Sequence, residues 1–251
     1  MAKPDNMSDG EWQTRVNLAA CYRLLAASGF HDLTYNHLSA RVPDAPHLFL
    51  VKGDDQLFEQ ATASSLALYD FDGNQVRESP HKISRGGVVI HGGILEARPD
   101  LAAVFHTHSP ANMGIAAQNC GLLPISQHAM LFYNCLSTHD FHGFEFDLAS
   151  RKSLVDDLGS NQSMILRNHG ALVCGRTVAE AFYLHHYFEM SCRSQIAALS
   201  IGGIDKLIIP SPDVCEHAAR QMQSKGVVKE NDRDWRASFA WAMTIAPDLA
   251  S

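Results

Sequence analysis

Two histidines separated by one residue, His106 and His108, are the first candidates for chemistry in a chain with 14 histidines among 251 residues. Imidazole is the commonest protein ligand for transition metals. In a β-strand, residues two apart point to the same side, so both rings would project from one edge of a sheet. Catalytic metal sites commonly have three protein ligands and an open position, and His169, followed by Gly170, is the candidate third ligand. Taken alone, a His-x-His pair is as typical of surface histidines as of a metal site.

The segments around these histidines predict the elements that would position them. Residues 101–105 form a continuous apolar run typical of a buried strand, which ends at His106. Ser109 and Pro110 then provide an N-cap and a first helical residue for a helix to about residue 118. Two apolar runs, 163–167 and 171–174, flank His169 and predict a tight connection between strands.

Elsewhere, hydrophobic periodicity predicts helices and short strands in alternation. Helices are expected over residues 11–28, 83–97, 177–200 and 232–243, with Thr177 and Glu180 as a capping box for the third. Strands are expected over residues 38–42, 47–51 and 65–71. This order favours one α/β domain over residues 1–251, a layered sandwich with a mainly antiparallel sheet.

Composition excludes several classes of protein. Apolar residues make up 46% and charged residues 19%, which is typical of a globular chain. The net charge is −7 and the basic residues are scattered, so a nucleic-acid partner is not expected. The polar N-terminus and the absence of an apolar run of roughly 18 to 20 residues predict no membrane segment and a cytoplasmic location. Six widely spaced cysteines without a CxxC pair favour reduced thiols.

Two segments carry a family resemblance: residues 97–110 (ARPDLAAVFHTHSP) and residues 166–175 (LRNHGALVCG). Both closely resemble the metal-binding motifs of the class II aldolase/adducin family, and the resemblance extends over about residues 17–200. It implies a three-layer α/β/α sandwich and a divalent cation on His106, His108 and His169, usually zinc, with iron(II) or manganese as alternatives. In the family's sugar-phosphate enzymes, the cation stabilises an enediolate as a Lewis acid. Residues 201–251 depart most from the family and are expected to form a helical region.

The chain also departs from the family at the reacting groups. Gly87 falls where the aldolases have a catalytic glutamate, and His37 falls on the asparagine that helps to hold the enediolate. Asp54 and Asp55 fall on the phosphate-binding loop, where two carboxylates would repel a phosphate. The glycine and the segment around His37 are similar to the adducin branch, whose head domains are structural.

These departures leave a set of candidate residues. His37 and His128 are the catalytic candidates, the second by facing the site of a neighbouring subunit. Asn36, Asp54 and Asp55 are expected to bind the substrate. The remaining candidates are interpreted as surface or supporting histidines (His139, His142) and as packing or interface residues (His185, His186).

Three functions remain open. The first is a metal-dependent lyase that acts on a small, non-phosphorylated hydroxy- or oxo-acid through a metal-stabilised enolate. The others are a non-haem iron(II) oxygenase on the same scaffold and an adducin-like structural protein. The family resemblance and the aromatic residues Trp235, Phe239 and Trp241 favour a homo-oligomer, a tetramer with metal sites near subunit boundaries.

Overall fold

The computed structural model describes residues 3–143 and 147–251. Within these residues seven strands form one sheet: β1 (His37–Val42), β2 (Ala45–Val51), β3 (Ala67–Asp70), β4 (Ala103–Thr107), β5 (Leu136–His139), β6 (Ser163–Leu166) and β7 (Gly170–Gly175). The α-helices are α1 (Asp9–Ala27), α2 (Arg85–Gly87), α3 (Gly93–Ala97), α4 (Pro110–Ala116), α5 (Ser150–Leu158), α6 (Val178–Leu199), α7 (Pro212–Gln223) and α8 (Arg233–Ile245). A π-helical turn, Val88–Gly92, joins α2 to α3, and short 3-10 turns cover Phe58–Gln60, Ala129–Phe132 and Ile204–Lys206.

The strand order across the sheet is β3-β2-β1-β4-β7-β6-β5. Every neighbouring pair is antiparallel except β5 and β6. Helices α1 and α6 cover one face, with α8 packed against α1, and α3 and α5 cover the other face. The expected three-layer α/β/α sandwich with a mainly antiparallel sheet is therefore confirmed.

Alternation along the central strand divides the core between the two faces. Ala103 and Phe105 of β4 point toward α1 and α6, whereas Val104 points toward α3 and α5. By the same alternation, His106 projects to the side of α3 and Thr107 to the side of α6. The two faces of β4 thus carry different polar groups where the strand ends.

Helix ends follow local capping chemistry. The Ser109 hydroxyl accepts a hydrogen bond from the Asn112 N–H at 3.0 Å and begins α4 directly after the histidine pair. The Thr177 hydroxyl accepts from the Glu180 N–H at 2.9 Å and begins α6, as expected. The Glu180 carboxylate accepts from the Arg176 N–H rather than from that of Thr177, so the reciprocal half of the capping box lies one residue earlier.

Residues 83–97 differ from the single helix expected there. Helix α2 begins at Arg85, after Ser84 caps it, and the chain widens into the π-helical turn before α3. The segment contains four glycines, which weaken a regular helix. Strand β5 and helix α5 were not expected from hydrophobic periodicity, whereas α7 lies in the C-terminal region, residues 201–251, that was expected to be helical. Within the described residues, no helix combines the length and apolar character that crossing a membrane requires.

Candidate metal centre

Three imidazoles converge at the end of β4. His106 is its fourth residue, His108 follows the strand, and His169 lies in the turn between β6 and β7. Nε2 of His108 is 2.8 Å from Nε2 of His106 and 3.0 Å from Nε2 of His169. The three ligand atoms lie within 4.8 Å of one another. The geometry expected from the sequence therefore forms within one chain.

Hydrogen bonds at the opposite ring nitrogens show whether these Nε2 atoms could hold a cation. Nδ1–H of His106 donates to the carbonyl of Ala171 at 3.0 Å, and Nδ1–H of His108 donates to the Asp32 carboxylate at 3.2 Å. Both partners only accept, so each ring carries its hydrogen on Nδ1 when it is neutral. Two Nε2 lone pairs then face each other at 2.8 Å, which is favourable when both bind one positive ion. The donor set suits zinc, which takes histidine nitrogen at about 2.0 to 2.1 Å.

Burial keeps these ligands neutral. It lowers the pKa of His106 well below its usual value, and the neighbouring His108 and His169 lower it further. Burial, with His108 and His139 nearby, lowers the pKa of His169 to about 4. The pKa of His108 is also lowered by burial, although the Asp32 carboxylate raises it. Neutral imidazole is the form that binds a metal ion.

Two backbone features bring the ligands together. Asn168 has a left-handed backbone with φ of 55°, which closes the turn that presents His169. Gly170 begins β7 beside the end of β4, and a Cβ there would lie 2.5 Å from the carbonyl oxygen of Thr107. Only glycine allows the two strands this close approach without displacing backbone.

Asn36 lies beneath this centre rather than in the cleft. Its side-chain oxygen accepts from the His108 N–H at 2.9 Å, and its amide nitrogen donates to the carbonyl of Phe30 at 3.2 Å. The side chain is fully buried. Asn36, expected to bind the substrate, is not among the cleft-lining residues, and its hydrogen bond orients the segment that carries His108.

A buried polar network supports the ligands from the other side of β4. The Thr107 hydroxyl lies 2.9 Å from Nε2 of His185 on α6. The Glu189 carboxylate accepts from the Ser109 hydroxyl at 2.6 Å and from the Asn112 amide at 2.7 Å. These bonds fix the start of α4 against α6, so the helix holds the segment from which His108 projects. Burial raises the pKa of Glu189, partly offset by these two hydrogen bonds.

A cleft of about 280 Å³ adjoins the three histidines through one of its lining residues. Its lining includes His37, whose ring centroid is 5.1 Å from that of His106. The other lining residues are Thr34, Tyr35, Val51, Lys52, Asp54, Ile83 and Ser84. A cleft of this size suits a small molecule of a few carbons.

Asp54 and Asp55, both expected to bind the substrate, lie in different surroundings. The Asp54 side chain is exposed and lines the cleft. The Asp55 carboxylate accepts from Nδ1 of His81 at 3.0 Å and is not among the cleft-lining residues. Lys52, which is buried, donates to the carbonyls of Thr34 and Gly53 at 2.9 and 3.1 Å, and burial lowers its pKa to about 8.

Gly87 occupies the glutamate position without leaving room for a side chain. A Cβ at Gly87 would lie 2.8 Å from Cγ1 of Ile83. Ile83 itself lines the cleft, so an apolar group fills the space next to the position from which the family's acid would reach. Acid–base chemistry in this cleft must therefore come from other residues.

The remaining histidines lie apart from the cleft lining. His128 stacks on Tyr187 with ring centroids 5.0 Å apart. His139, expected as a surface or supporting histidine, lies in β5, is 3% exposed and donates to Asp157 at 2.6 Å. His142 and His186 are exposed, whereas His185 is buried in the network behind β4.

Sequence reasoning missed four supporting residues: Asp32, Ser39, His91 and Glu189. Ser39 had a usable signal, since it lies two residues after His37 on one strand and so shares its face. Asp32, His91 and Glu189 lie far in sequence from the groups they contact, and no local sequence pattern indicates that they support the site.

A mixed α/β sandwich with three imidazoles at the end of a central strand is the arrangement expected for the class II aldolase/adducin family. The family profile for the class II aldolase and adducin N-terminal domain matches residues 16–196, and the chain belongs to that family. It is similar to a Caulobacter vibrioides protein whose name places it with the class 2 aldolases, with 39% identity over 84% of this chain and 82% of that protein. It is 36% identical to rat alpha-adducin over 81% of this chain, which spans only 28% of adducin.

Solved structures agree with this assignment. An aldolase II superfamily protein from Pseudomonas syringae has a TM-score of 0.94 at 40% identity, covering 98% of both chains. An L-fuculose 1-phosphate aldolase from Glaciozyma antarctica has a TM-score of 0.82 at 22% identity, covering 99% of this chain and 96% of that one. The second likeness concerns the fold alone.

Proposed function

We propose that this chain is a metal-dependent lyase that cleaves or decarboxylates a small, non-phosphorylated hydroxy- or oxo-acid through an enolate. One observation carries the proposal: the Nε2 atoms of His106, His108 and His169 meet next to His37, which lines a cleft. A bound zinc ion would supply Lewis-acid stabilisation of negative charge on a substrate oxygen.

The chain's own residues supply binding and proton transfer. His37 lies in the cleft next to the metal ligands and can exchange a proton or hydrogen bond with the reacting oxygen. Lys52 in the wall offers positive charge to a carboxylate, and Ser84 offers a hydroxyl. In an oligomer, His128 of an adjacent subunit is the second candidate for proton transfer.

Size and charge favour an acid without a phosphate. The cleft of about 280 Å³ is small, and Asp54 adds negative charge where the sugar-phosphate enzymes bind phosphate. At 4 Å and an effective dielectric constant of 20, two unit charges interact by roughly 4 kcal/mol, so a phosphate dianion is strongly disfavoured. A carboxylate carries less charge and can be placed toward Lys52.

The test is a turnover screen with zinc-, iron(II)- and manganese-loaded protein. Three- to six-carbon 2-oxo and 2-hydroxy acids are assayed with and without oxygen, beside fuculose 1-phosphate and ribulose 5-phosphate. We expect oxygen-independent cleavage of an acid, its loss in His106→Ala, and its retention in His142→Ala. Turnover that requires iron and oxygen would replace the lyase with an oxygenase, and saturable cleavage of either sugar phosphate would overturn the phosphate exclusion.

The similarity to adducin favours a second candidate, a structural protein that retains the metal centre. In that case His106→Ala would lower the unfolding temperature, and no metal form would turn over any member of the panel. Turnover that disappears with His106 would reject this alternative.

A further inference from the structure

Behind His37 lies a buried chain of hydrogen bonds that the proposed function does not use. Nδ1 of His37 is 2.6 Å from Nε2 of His91, and Nδ1 of His91 is 2.6 Å from the hydroxyl oxygen of Ser39. Ser39 and His91 are fully buried. His91 comes from the π-helical turn, whereas His37 and Ser39 lie two residues apart on β1.

The direction of these hydrogen bonds follows from the Ser39 hydroxyl. Among the described residues, its one side-chain partner is Nδ1 of His91. A buried O–H needs an acceptor, so Ser39 donates to Nδ1 of His91. Burial lowers the pKa of His91 to about 3, so the ring is neutral and holds its single hydrogen on Nε2. That hydrogen is donated to Nδ1 of His37.

We propose that Ser39 and His91 are positioning residues that fix His37 with its hydrogen on Nε2, so that it faces the cleft as a hydrogen-bond donor. The reverse direction would leave the Ser39 hydroxyl hydrogen in the core without an acceptor. The hydrogen-bond partners of Ser39 and His91 place this hydrogen on Nε2 of His37, which becomes a defined donor beside the candidate metal ligands.

This arrangement gives His37 a different role from the three histidines that could hold a cation. His106 and His108 carry their hydrogens on Nδ1, which leaves Nε2 free for a cation. His37 carries its hydrogen on Nε2 and so cannot bind the cation through that atom. A donor in this place stabilises a substrate oxygen that gains negative charge, a role that rests on the proposed function.

The tautomer can be measured without any substrate. In the zinc-loaded, full-length protein labelled with ¹⁵N-histidine, long-range ¹H–¹⁵N spectra at pH 7.5 distinguish protonated from bare ring nitrogens. We expect His37 with protonated Nε2 and bare Nδ1, and His91 with the same pattern. The His37 signals are assigned by their loss in His37→Gln.

Ser39→Ala removes the hydroxyl that sets the direction, so the His37 hydrogen should distribute between both nitrogens while zinc stoichiometry stays at the wild-type level. Ser39→Thr, which keeps a hydroxyl, should restore the wild-type pattern, and Ser126→Ala, which removes a hydroxyl that accepts from the Ala129 N–H in another segment, is the control. A bare Nε2 on wild-type His37 would overturn the proposal even if Ser39→Ala does not fold. Because turnover is not measured, failure of the lyase proposal and failure of this one are distinguishable.

Discussion

Each imidazole near the cleft has a role that depends on the group bonded to its second nitrogen. A carbonyl oxygen faces Nδ1 of His106, and a carboxylate faces Nδ1 of His108. An imidazole faces Nδ1 of His37. Residues outside the ligand set therefore decide which nitrogen is free, and their substitution should alter metal binding without removing a ligand.

Asp32→Ala should lower zinc affinity about 10- to 100-fold, because the carboxylate that orients His108 and keeps its hydrogen on Nδ1 is lost. Competition with a chromophoric chelator measures the affinity. Asp205→Ala, which removes an exposed carboxylate paired with Lys206, is the control and should bind zinc like the wild type. An unchanged affinity in Asp32→Ala would show that Asp32 does not support the ligand.

The buried His185 should make the protein sensitive to acid. Burial, with His186 nearby, lowers its pKa from 6.5 to about 3 in the folded state. Between these values the unfolded chain binds a proton that the folded chain does not, so the free energy of unfolding decreases as pH falls below 6.5. One such histidine contributes up to about 1.4 kcal/mol per pH unit.

His185→Gln should therefore reduce the loss of stability between pH 7 and pH 5, as measured by urea unfolding of the metal-free protein. His142→Gln, at an exposed position, should leave the pH dependence as it is in the wild type. Equal slopes for His185→Gln and the wild type would contradict the assignment.

At the scale of elements, the geometry of the candidate metal centre depends on how α4 and α6 hold the end of β4. Glu189 on α6 accepts hydrogen bonds from two groups of the α4 start, Ser109 and Asn112. Since all three side chains are buried, the contact replaces water for each of them. These hydrogen bonds therefore hold the start of α4 and the adjoining end of β4 against α6.

Glu189→Leu should destabilise the protein strongly, because it leaves the Ser109 hydroxyl and one N–H of the Asn112 amide without acceptors at about 1 to 3 kcal/mol each. Glu189→Gln keeps one acceptor oxygen. Since burial raises the pKa of Glu189, this substitution also removes little charge stabilisation. The free energy of unfolding should therefore fall about half as much as in Glu189→Leu. Denaturant unfolding at pH 7 measures both variants. A Leu variant as stable as the wild type would show that the network contributes nothing.

Sequence patterns predicted those elements whose signal lies within a few residues. The apolar run before His106 and the Ser109–Pro110 cap gave β4 and α4, and the ligand triad formed as expected. Strand β5 was missed because it lies at the parallel edge of the sheet and has only four residues, one of them a buried histidine bonded to Asp157. The contacts of His91 depend on a π-helical turn, whose extra residue has no signature in a 3.6-residue period.

At the scale of the whole molecule, the chain exposes large apolar side chains near its C-terminal end. Ile201 and Ile208 are 90% and 91% exposed, and Trp241 on α8 is 45% exposed. Trp235 and Phe239 instead pack into the core cluster of the chain's own domain. Of the three aromatic residues expected at a subunit interface, only Trp241 is therefore exposed enough to contact a neighbouring subunit.

We predict a homotetramer in solution, with light scattering giving four times the chain mass of 27.6 kDa. Trp241→Asp should shift the mass toward smaller species, because a carboxylate would be buried in the interface. Val76→Asp, at an exposed apolar position on another part of the surface, is the control. A monomeric mass for the wild type at micromolar concentration would reject the assembly.

Mixing variants tests whether subunits share a site. His128→Ala and His106→Ala should each lack turnover of the acid found in the screen, and co-refolded hybrids should recover part of it, because some sites then combine an intact His106 with an intact His128. No recovery in verified hybrids would reject the shared site while leaving the tetramer in place.

The π-helical turn at Val88–Gly92 also makes the position of His91 depend on the number of residues in this segment. Such a turn corresponds to an α-helix with one residue inserted. Loss of a single residue would restore the regular helix and rotate one side of it against the other by about 100°, the angle between successive residues. His91 would then leave Ser39, although no residue of the hydrogen-bond chain had been replaced. A variant with such a one-residue deletion is therefore expected to lack the His91–Ser39 hydrogen bond even though both residues are present.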